Sequence, residues 1–409
     1  MGAEGPTFSW FVASLPDQKI NLAAFGSIAF PISMVVEGPI IMLLAASTAL
    51  CKDIRAYRKL QQFTLLLAGI LTAIHILIAF TPLYDWIIDS ILAVPENLRE
   101  PGRIGLKILT PWTAAIAYRR FLQGILIRFE KAHFIVFGTV VRLITLIISL
   151  KLLATFTNFS GIVIGTIAIA VGVLSEAIFT HIASRSTIKN RIPQKTKEAL
   201  NLNVKSFLVF YTPLALTPLM TLVIQPAGSA AMSRMPDIIN SLAAWQVVHA
   251  IIFLTRSIGF AFNEVVVAQS DKEGAINVLN KFCFLLALFA SSCLAILALT
   301  PISDYLLIQI YNLEKDLAKV CKLALIFGVT MPAYQAYQSL FQGQLVAAKK
   351  TKGVTEAVAI YVTLSLLGLF LGVNVSTITG IYWAIITFSM AGIAQTLWLA
   401  FRAKEAKWL

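Results

Sequence analysis

Charge is what this sequence has least of. Of 409 residues only 13% are charged while 58% are hydrophobic, and the mean hydropathy is +0.81. A soluble domain has roughly 45–50% apolar and about 25% charged residues. A chain this short of charge has an apolar exterior, which excludes a water-soluble globule and implies a membrane protein. Long polar intervals are missing too. The longest, 185–203, is under twenty residues, too short for a soluble domain of at least about 50. Cysteine is scarce: Cys51, Cys283, Cys293 and Cys321 show no CxxC spacing and are expected to be reduced packing residues. The four histidines, 75, 133, 181 and 249, have neither HxxxH nor HxxE spacing, which argues against a metal site. No GxxxxGK[ST] loop is present, so nucleotide hydrolysis by that route is excluded. No cleavable secretory signal is recognised.

What is abundant is apolar sequence in blocks of about 20 residues, the length that crosses a bilayer. Eleven spans are expected, at 22–50, 60–88, 104–128, 132–154, 161–184, 204–226, 238–266, 278–300, 317–346, 354–373 and 377–401. The net charge of +13 is a topology signal rather than a nucleic-acid footprint. With the spans taken alternately in and out, one side receives 20 of the 33 lysines and arginines. Basic short loops stay in the cytoplasm. This places the C-terminus there, with a bacterial inner membrane as the expected location, and anionic lipid head groups as incidental partners.

The chain also repeats itself. "AFTPLYDWII" (79–88) matches "ALTPISDYLL" (298–307), and "AYRRFLQGILI" (117–127) matches "AYQSLFQGQLV" (336–346), both at an offset of 219. "LPDQKINLAAF" (15–25) matches "MPDIINSLAAW" (235–245) at 220. One register held over such a length implies a duplication. An even number of spans per repeat makes it parallel, with its axis along the membrane normal. The expected fold is an all-α polytopic membrane protein of two six-helix lobes: 1–185, a cytoplasmic linker at 186–203, and 204–409. The first helix is read as truncated. Met1 aligns with Thr221, about eighteen residues into the second lobe's first span, and "MGAEGPTFSWFVASL" stands for the outer part of helix 1.

Ionisable residues inside spans cost about 2.5–3.5 kcal/mol each at mid-membrane, so they mark cavities or partners. Glu37 lies near the centre of "FPISMVVEGPIIMLLAA" and precedes Gly38-Pro39. Proline there frees backbone groups and kinks the helix, so Glu37 is a candidate carrier of a coupling Na⁺ or proton. The alternative is a buried acid neutralised by an arginine. Glu4, in a second "EGP", is a candidate of the same kind. Arg119 and Arg120 lie inside a span, Arg120 at a depth of roughly 12 Å and Arg142 at roughly 15 Å for a rise of about 1.5 Å per residue. Adjacent helical residues point about 100° apart. One of the arginine pair is therefore expected at a cavity and the other against a carboxylate or a neighbouring helix, with Gln123 one turn on. The second half has Gln338 and Ser339 in their place. This asymmetry favours an anion-attracting mouth of Arg119 or Arg120 with Arg142; the alternative pairs them with Glu176 or Glu37. Arg256 falls opposite Glu37 at the offset of 219, a candidate anion residue or a latch to Glu37. Glu176 and Glu264 rank below Glu37. Asp85 and Asp304, sharing a repeat position after "TP", are expected to satisfy backbone donors.

Three features carry a family resemblance: "LTAIHILIAFTPLYDWII" (71–88) with His75 ahead of a short turn, Pro111 before "RRFLQGILI", and Lys349-Lys350 after the second "FQG" helix. With the two-lobe architecture, they make the chain resemble the multidrug/oligosaccharidyl-lipid/polysaccharide exporter superfamily, which includes the multidrug and toxic-compound extrusion family. Within it the chain is most similar to the progressive ankylosis protein family. That resemblance implies a secondary transporter, not an enzyme, working by alternating access and exporting small anions such as pyrophosphate, citrate or nucleotides. It implies no cofactor, a coupling Na⁺ or H⁺ at most, a monomer, and no nucleic-acid partner. Alternatives are a Na⁺- or H⁺-coupled organic-cation antiporter, a flippase for lipid-linked precursors, and a non-transporting scaffold or receptor.

Overall fold

A computed structural model describes residues 4–194, 204–269, 274–348, 350, 352–375 and 377–405 of the chain. Every regular element among them is helical. Among the described residues nine helices are long and apolar enough to cross a membrane, and they coincide with nine of the eleven expected spans. The other two are interrupted. The 104–128 span divides into helices Glu96–Ile108 and Thr110–Arg128, and the 204–226 span into Val204–Leu222 and Ile224–Met232. The spans Gln18–Leu50 and Lys315–Ala347 are likewise built of consecutive shorter helices. Lys349 and the 195–203 part of the expected linker lie outside the described residues, and residues 186–190 continue the helix Gly161–Asn190.

The duplication is present in the backbone. Helices Glu96–Ile108 and His133–Phe156 begin and end 219 residues before Lys315–Phe327 and Lys352–Val375. Each half carries a π-helical turn after its "TP", at Ile87–Leu92 and Tyr305–Ile310. The threonines before them close the preceding helices identically. Thr81 Oγ1 donates to Leu77 O at 2.5 Å and Thr300 Oγ1 to Ile296 O at 2.7 Å, and each accepts the N–H two residues on at 3.3 Å. Left-handed residues recur as well: Asp17 and Asp237, then Ala93 and Asn312. The backbone repeats even where the residue type does not.

Asp85 and Asp304 have a different role from the one expected. Asp85 meets Arg103 at 3.4 Å and Asp304 meets Lys322 at 2.7 Å, and 103 and 322 are again 219 apart. The duplication keeps an ion pair, not a backbone cap. Both aspartates are more than half exposed, where an ion pair contributes about 0–1 kcal/mol. Asp85→Asn is therefore expected to shift unfolding of the detergent-solubilised protein by less than about 1 kcal/mol. Asp53 is a true cap, accepting from the Ala56 N–H at 2.8 Å at the start of Ile54–Phe80. Asp53→Ala should cost about 1 kcal/mol in the same measurement. Beside it, burial pushes the Cys51 thiol up to about 12, which keeps it protonated and unreactive at neutral pH.

Packing divides the chain into two compact units. The first comprises Ile28–Ile91 and Glu96–Val223; the second comprises Met1–Ser27, Leu92–Pro95 and Ile224–Leu409. These bounds follow contact and fall elsewhere than the repeat-based 1–185 and 204–409. The same helices are peripheral in both halves. Only 28% of the apolar window is buried in Ile54–Phe80 and in Ala275–Leu299, and 22% in His133–Phe156 and in Lys352–Val375. Their remaining faces carry Leu66, Phe137, Leu285 and Phe370, all exposed, as hydrocarbon requires. Gly161–Asn190 and Ile238–Val267, 61% buried, are interior helices, and they carry Glu176 and Arg256.

Candidate functional site

The first unit gathers its two buried arginines around one residue, Glu176, at mid-length of Gly161–Asn190 and fully buried. Arg119, on Thr110–Arg128, donates through Nη1 to Glu176 Oε2. Gln123, one turn on and on the same face, donates to Oε1 at 3.2 Å. Arg142, from His133–Phe156, approaches Oε2 at 3.4 Å. Three helices thus converge on one carboxylate. The expected anion mouth takes another form: Arg119, Gln123 and Arg142 are turned to Glu176. The reason is desolvation, since a buried guanidinium is stable only with a carboxylate or comparable acceptors beside it.

Arg120 behaves differently. About 100° around the helix from Arg119, it is half-buried, makes no hydrogen bond or ion pair among the described residues, and has a buried, unpartnered Nε. Of the adjacent arginines, Arg119 is the one set against a carboxylate.

Glu37 lies at the kink its sequence implies. Helix Phe30–Glu37 gives way to a 3₁₀ turn, Gly38–Ile40, and resumes at Leu43–Leu50. Tyr211 donates its hydroxyl to Pro39 O, which satisfies a carbonyl at the break. A Cβ on Gly38 would stand 2.7 Å from Leu219 Cδ1, so only glycine admits helix Val204–Leu222 this closely. Glu37 is 3% exposed, and its Oε1 has no hydrogen-bond partner among the described residues. Ser33 Oγ, one turn earlier, is likewise buried and unpartnered. The charges that reach Glu37 are those of Arg119 and Arg120. Glu4 opens helix Glu4–Ala13 in the second unit and is half-buried. His75, held at 3.0 Å by both Thr113 Oγ1 and Leu106 O, is a structural ring. The side chain of Glu264 lies outside the described residues.

The second unit contains the neutral counterpart of the Glu176 cluster. At the offset of 219, Arg119 corresponds to Gln338, Glu176 to Gln395 and Arg142 to Tyr361. Gln338 Nε2 donates to Gln395 Oε1 at 3.0 Å and to Gly392 O at 3.1 Å. An amide pair therefore occupies the place of the ion pair. Glu176 is the residue the sequence reading undervalued, and a signal was available: positions 119 and 176 are polar in both halves, at the same spacing. Arg256, at the repeat position of Glu37, donates from Nη2 to Gln335 Oε1 at 2.6 Å. It lies over the rings of Tyr334 and Phe260 at 5.5 and 5.6 Å.

The family model described as "Progressive ankylosis protein (ANKH)" matches residues 7–261, well over half of the chain. The chain belongs to the progressive ankylosis protein family. The match takes in Glu37, Arg119, Arg120, Arg142, Glu176 and Arg256, so every charged member of the site lies in the family's segment. No curated protein matches in sequence. Among solved structures, a lipid II flippase MurJ in an inward closed conformation is similar over 98% of this chain and 85% of its own, with a TM-score of 0.77 and 19% identity. A multidrug resistance MATE family transporter of the MOP superfamily, inward-facing, is similar over 100% and 96%, with a TM-score of 0.72 and 16% identity. A MOP superfamily transporter from Pyrococcus furiosus, described as having a binding pocket of reversed polarity, is similar over 99% and 94%, with a TM-score of 0.61 and 16% identity. These likenesses establish the fold. Family and fold together make this member of the progressive ankylosis family an integral membrane transporter.

Proposed function

We propose that the chain is a secondary active transporter that exports small anions, of the pyrophosphate, citrate or nucleotide-like class, by alternating access. Its expected setting is a bacterial inner membrane with the C-terminus in the cytoplasm. The observation that carries this reading is the state of Arg120. Three arginines face two carboxylates in the first unit, and Arg119 and Arg142 are both engaged by Glu176. Arg120 is left with no ion pair among the described residues, and an anion on the transport path would complete it. A planar guanidinium takes carboxylate or phosphate through two parallel bonds, which a lysine cannot do. In proteoliposomes loaded with radiolabelled pyrophosphate or citrate, Arg120→Gln is expected to slow efflux about tenfold or more, the loss of one charge-assisted hydrogen bond. Arg120→Lys should fall between. An unchanged rate in Arg120→Gln rejects the reading.

A second reading rests on Glu37. Its buried, unpartnered carboxylate with Ser33 one turn away suits a coupling Na⁺ or proton, as in an antiporter of organic cations. Glu37→Gln should then abolish gradient-driven uptake of a cationic dye, and coupling retained in that variant removes the residue from this role.

A further inference from the structure

The second unit holds the cation Arg256 among buried side chains that, as far as the described residues go, include no acid. Among the described residues, the buried polar side chains of this unit are serines, one threonine, one asparagine and glutamines; none is a carboxylate. In the first unit the duplicated position supplies Glu176; here it supplies neutral Gln395. Among the described residues Arg256 therefore makes no ion pair. Gln335 takes one of its donors and two aromatic rings cover its faces, but Nε is buried and has no hydrogen-bond partner among the described residues.

Arg256 also lines a cavity of about 50 Å³. Gln225, His249 and Tyr361 contribute its polar wall, and Trp245 and Phe388 are among its apolar residues. Gln225 Nε2 donates to His249 Nε2 at 3.1 Å, which leaves Nδ1 as the ring's N–H. No lining residue is acidic. The space exceeds the ~10–15 Å³ that one water needs on the same measure, so it admits a small polar group. Apolar walls lower the local dielectric and strengthen the attraction of an unpaired guanidinium for an anion.

We propose that this cavity binds a single oxyanion head group, phosphoryl or carboxylate, with Arg256 as its counter-charge and Gln225, His249 and Tyr361 as its polar wall. For its use in export, this site rests on the anion-transport reading; its binding test does not. The head group can come from a soluble anion or from a lipid phosphate, and the experiment separates the two.

The full chain, purified in phospholipid-free detergent, is titrated calorimetrically with inorganic phosphate, pyrophosphate, citrate and dihexanoyl phosphatidic acid. At least one is expected to bind one per chain. Arg256→Gln should weaken it about tenfold or more, with Arg256→Lys between. Arg402→Gln, a surface arginine paired with Glu356 and Glu405, should leave it unchanged. Quenching of Trp245, assigned by its loss in Trp245→Phe, locates the event in this cavity. Should Arg256→Gln not fold, Gln225→Ala and Tyr361→Phe take its place, each expected to weaken binding several-fold. Binding of phosphatidic acid alone, dependent on Arg256, supports the site with lipid as the source. Arg256-dependent binding without anion efflux in proteoliposomes supports the site and rejects the export reading. The site is overturned if no probe binds the wild type, or if the cavity variants bind as the wild type does.

Discussion

Glu176→Ala is expected to destabilise the detergent-solubilised protein by about 3–5 kcal/mol, the cost of breaking a buried ion pair from one side. The substitution removes the acceptor of Arg119, Arg142 and Gln123 together. It leaves two guanidiniums in a dry interior with no acid between them, and it releases three helices from their shared point. The duplication supplies the rescue. Gln338, Tyr361 and Gln395 show which neutral side chains the same helix geometry accommodates, so Arg119→Gln with Glu176→Gln should recover part of the loss. Adding Arg142→Tyr should recover more. Buried ion pairs replaced together by well-packed neutral groups are often close to neutral in stability. Thermal and denaturant unfolding of the single, double and triple variants give the ordering. A Glu176→Ala protein as stable as the wild type would show that the network holds nothing together.

The second large effect is expected at Gly124, in the "QG" that both halves repeat. A Cβ there would lie 1.9 Å from Ser47 Oγ and 2.3 Å from the carbonyl oxygen of Leu44. A side-chain hydroxyl can rotate away; a backbone carbonyl inside a helix cannot. Gly124→Val therefore pushes helix Leu43–Leu50 off Thr110–Arg128. It disturbs the Thr48 Oγ1 to Gly124 O bond at 3.1 Å and the Arg128 Nη1 to Thr48 O bond at 3.2 Å. Overpacking costs about 1–3 kcal/mol, and backbone obstruction places this site at the upper end. Gly343, the repeat partner, meets the side chain of Val266 at 2.7 Å, so Gly343→Val should cost less. Gly69→Val is the control, because nothing lies within 4 Å of its added Cβ. Unfolding midpoints and the monodisperse fraction after purification should rank Gly124 worst, Gly343 next and Gly69 near wild type. Equal behaviour at 124 and 69 would contradict the close helix crossing.

The sequence alone determined the class of molecule and its symmetry. Hydropathy decides whether an exterior meets water or hydrocarbon, and that is a property of composition. An offset of 219 is arithmetic on residues, and helix ends follow it, with the π-turns and left-handed positions within one residue of it. The kink after Glu37 is likewise local, because Gly38-Pro39 breaks the hydrogen-bond ladder whatever surrounds it. Partnership is different. Periodicity places Arg119 and Arg120 on different faces of their helix, but it does not say which helix lies against each face. Only tertiary packing brought Arg119 and Arg142 to Glu176, which lies 57 and 34 residues away along the chain. Only packing left Arg120, Glu37 and Arg256 without an ion pair among the described residues. Charge is legible in one dimension; its neutralisation depends on distances in three.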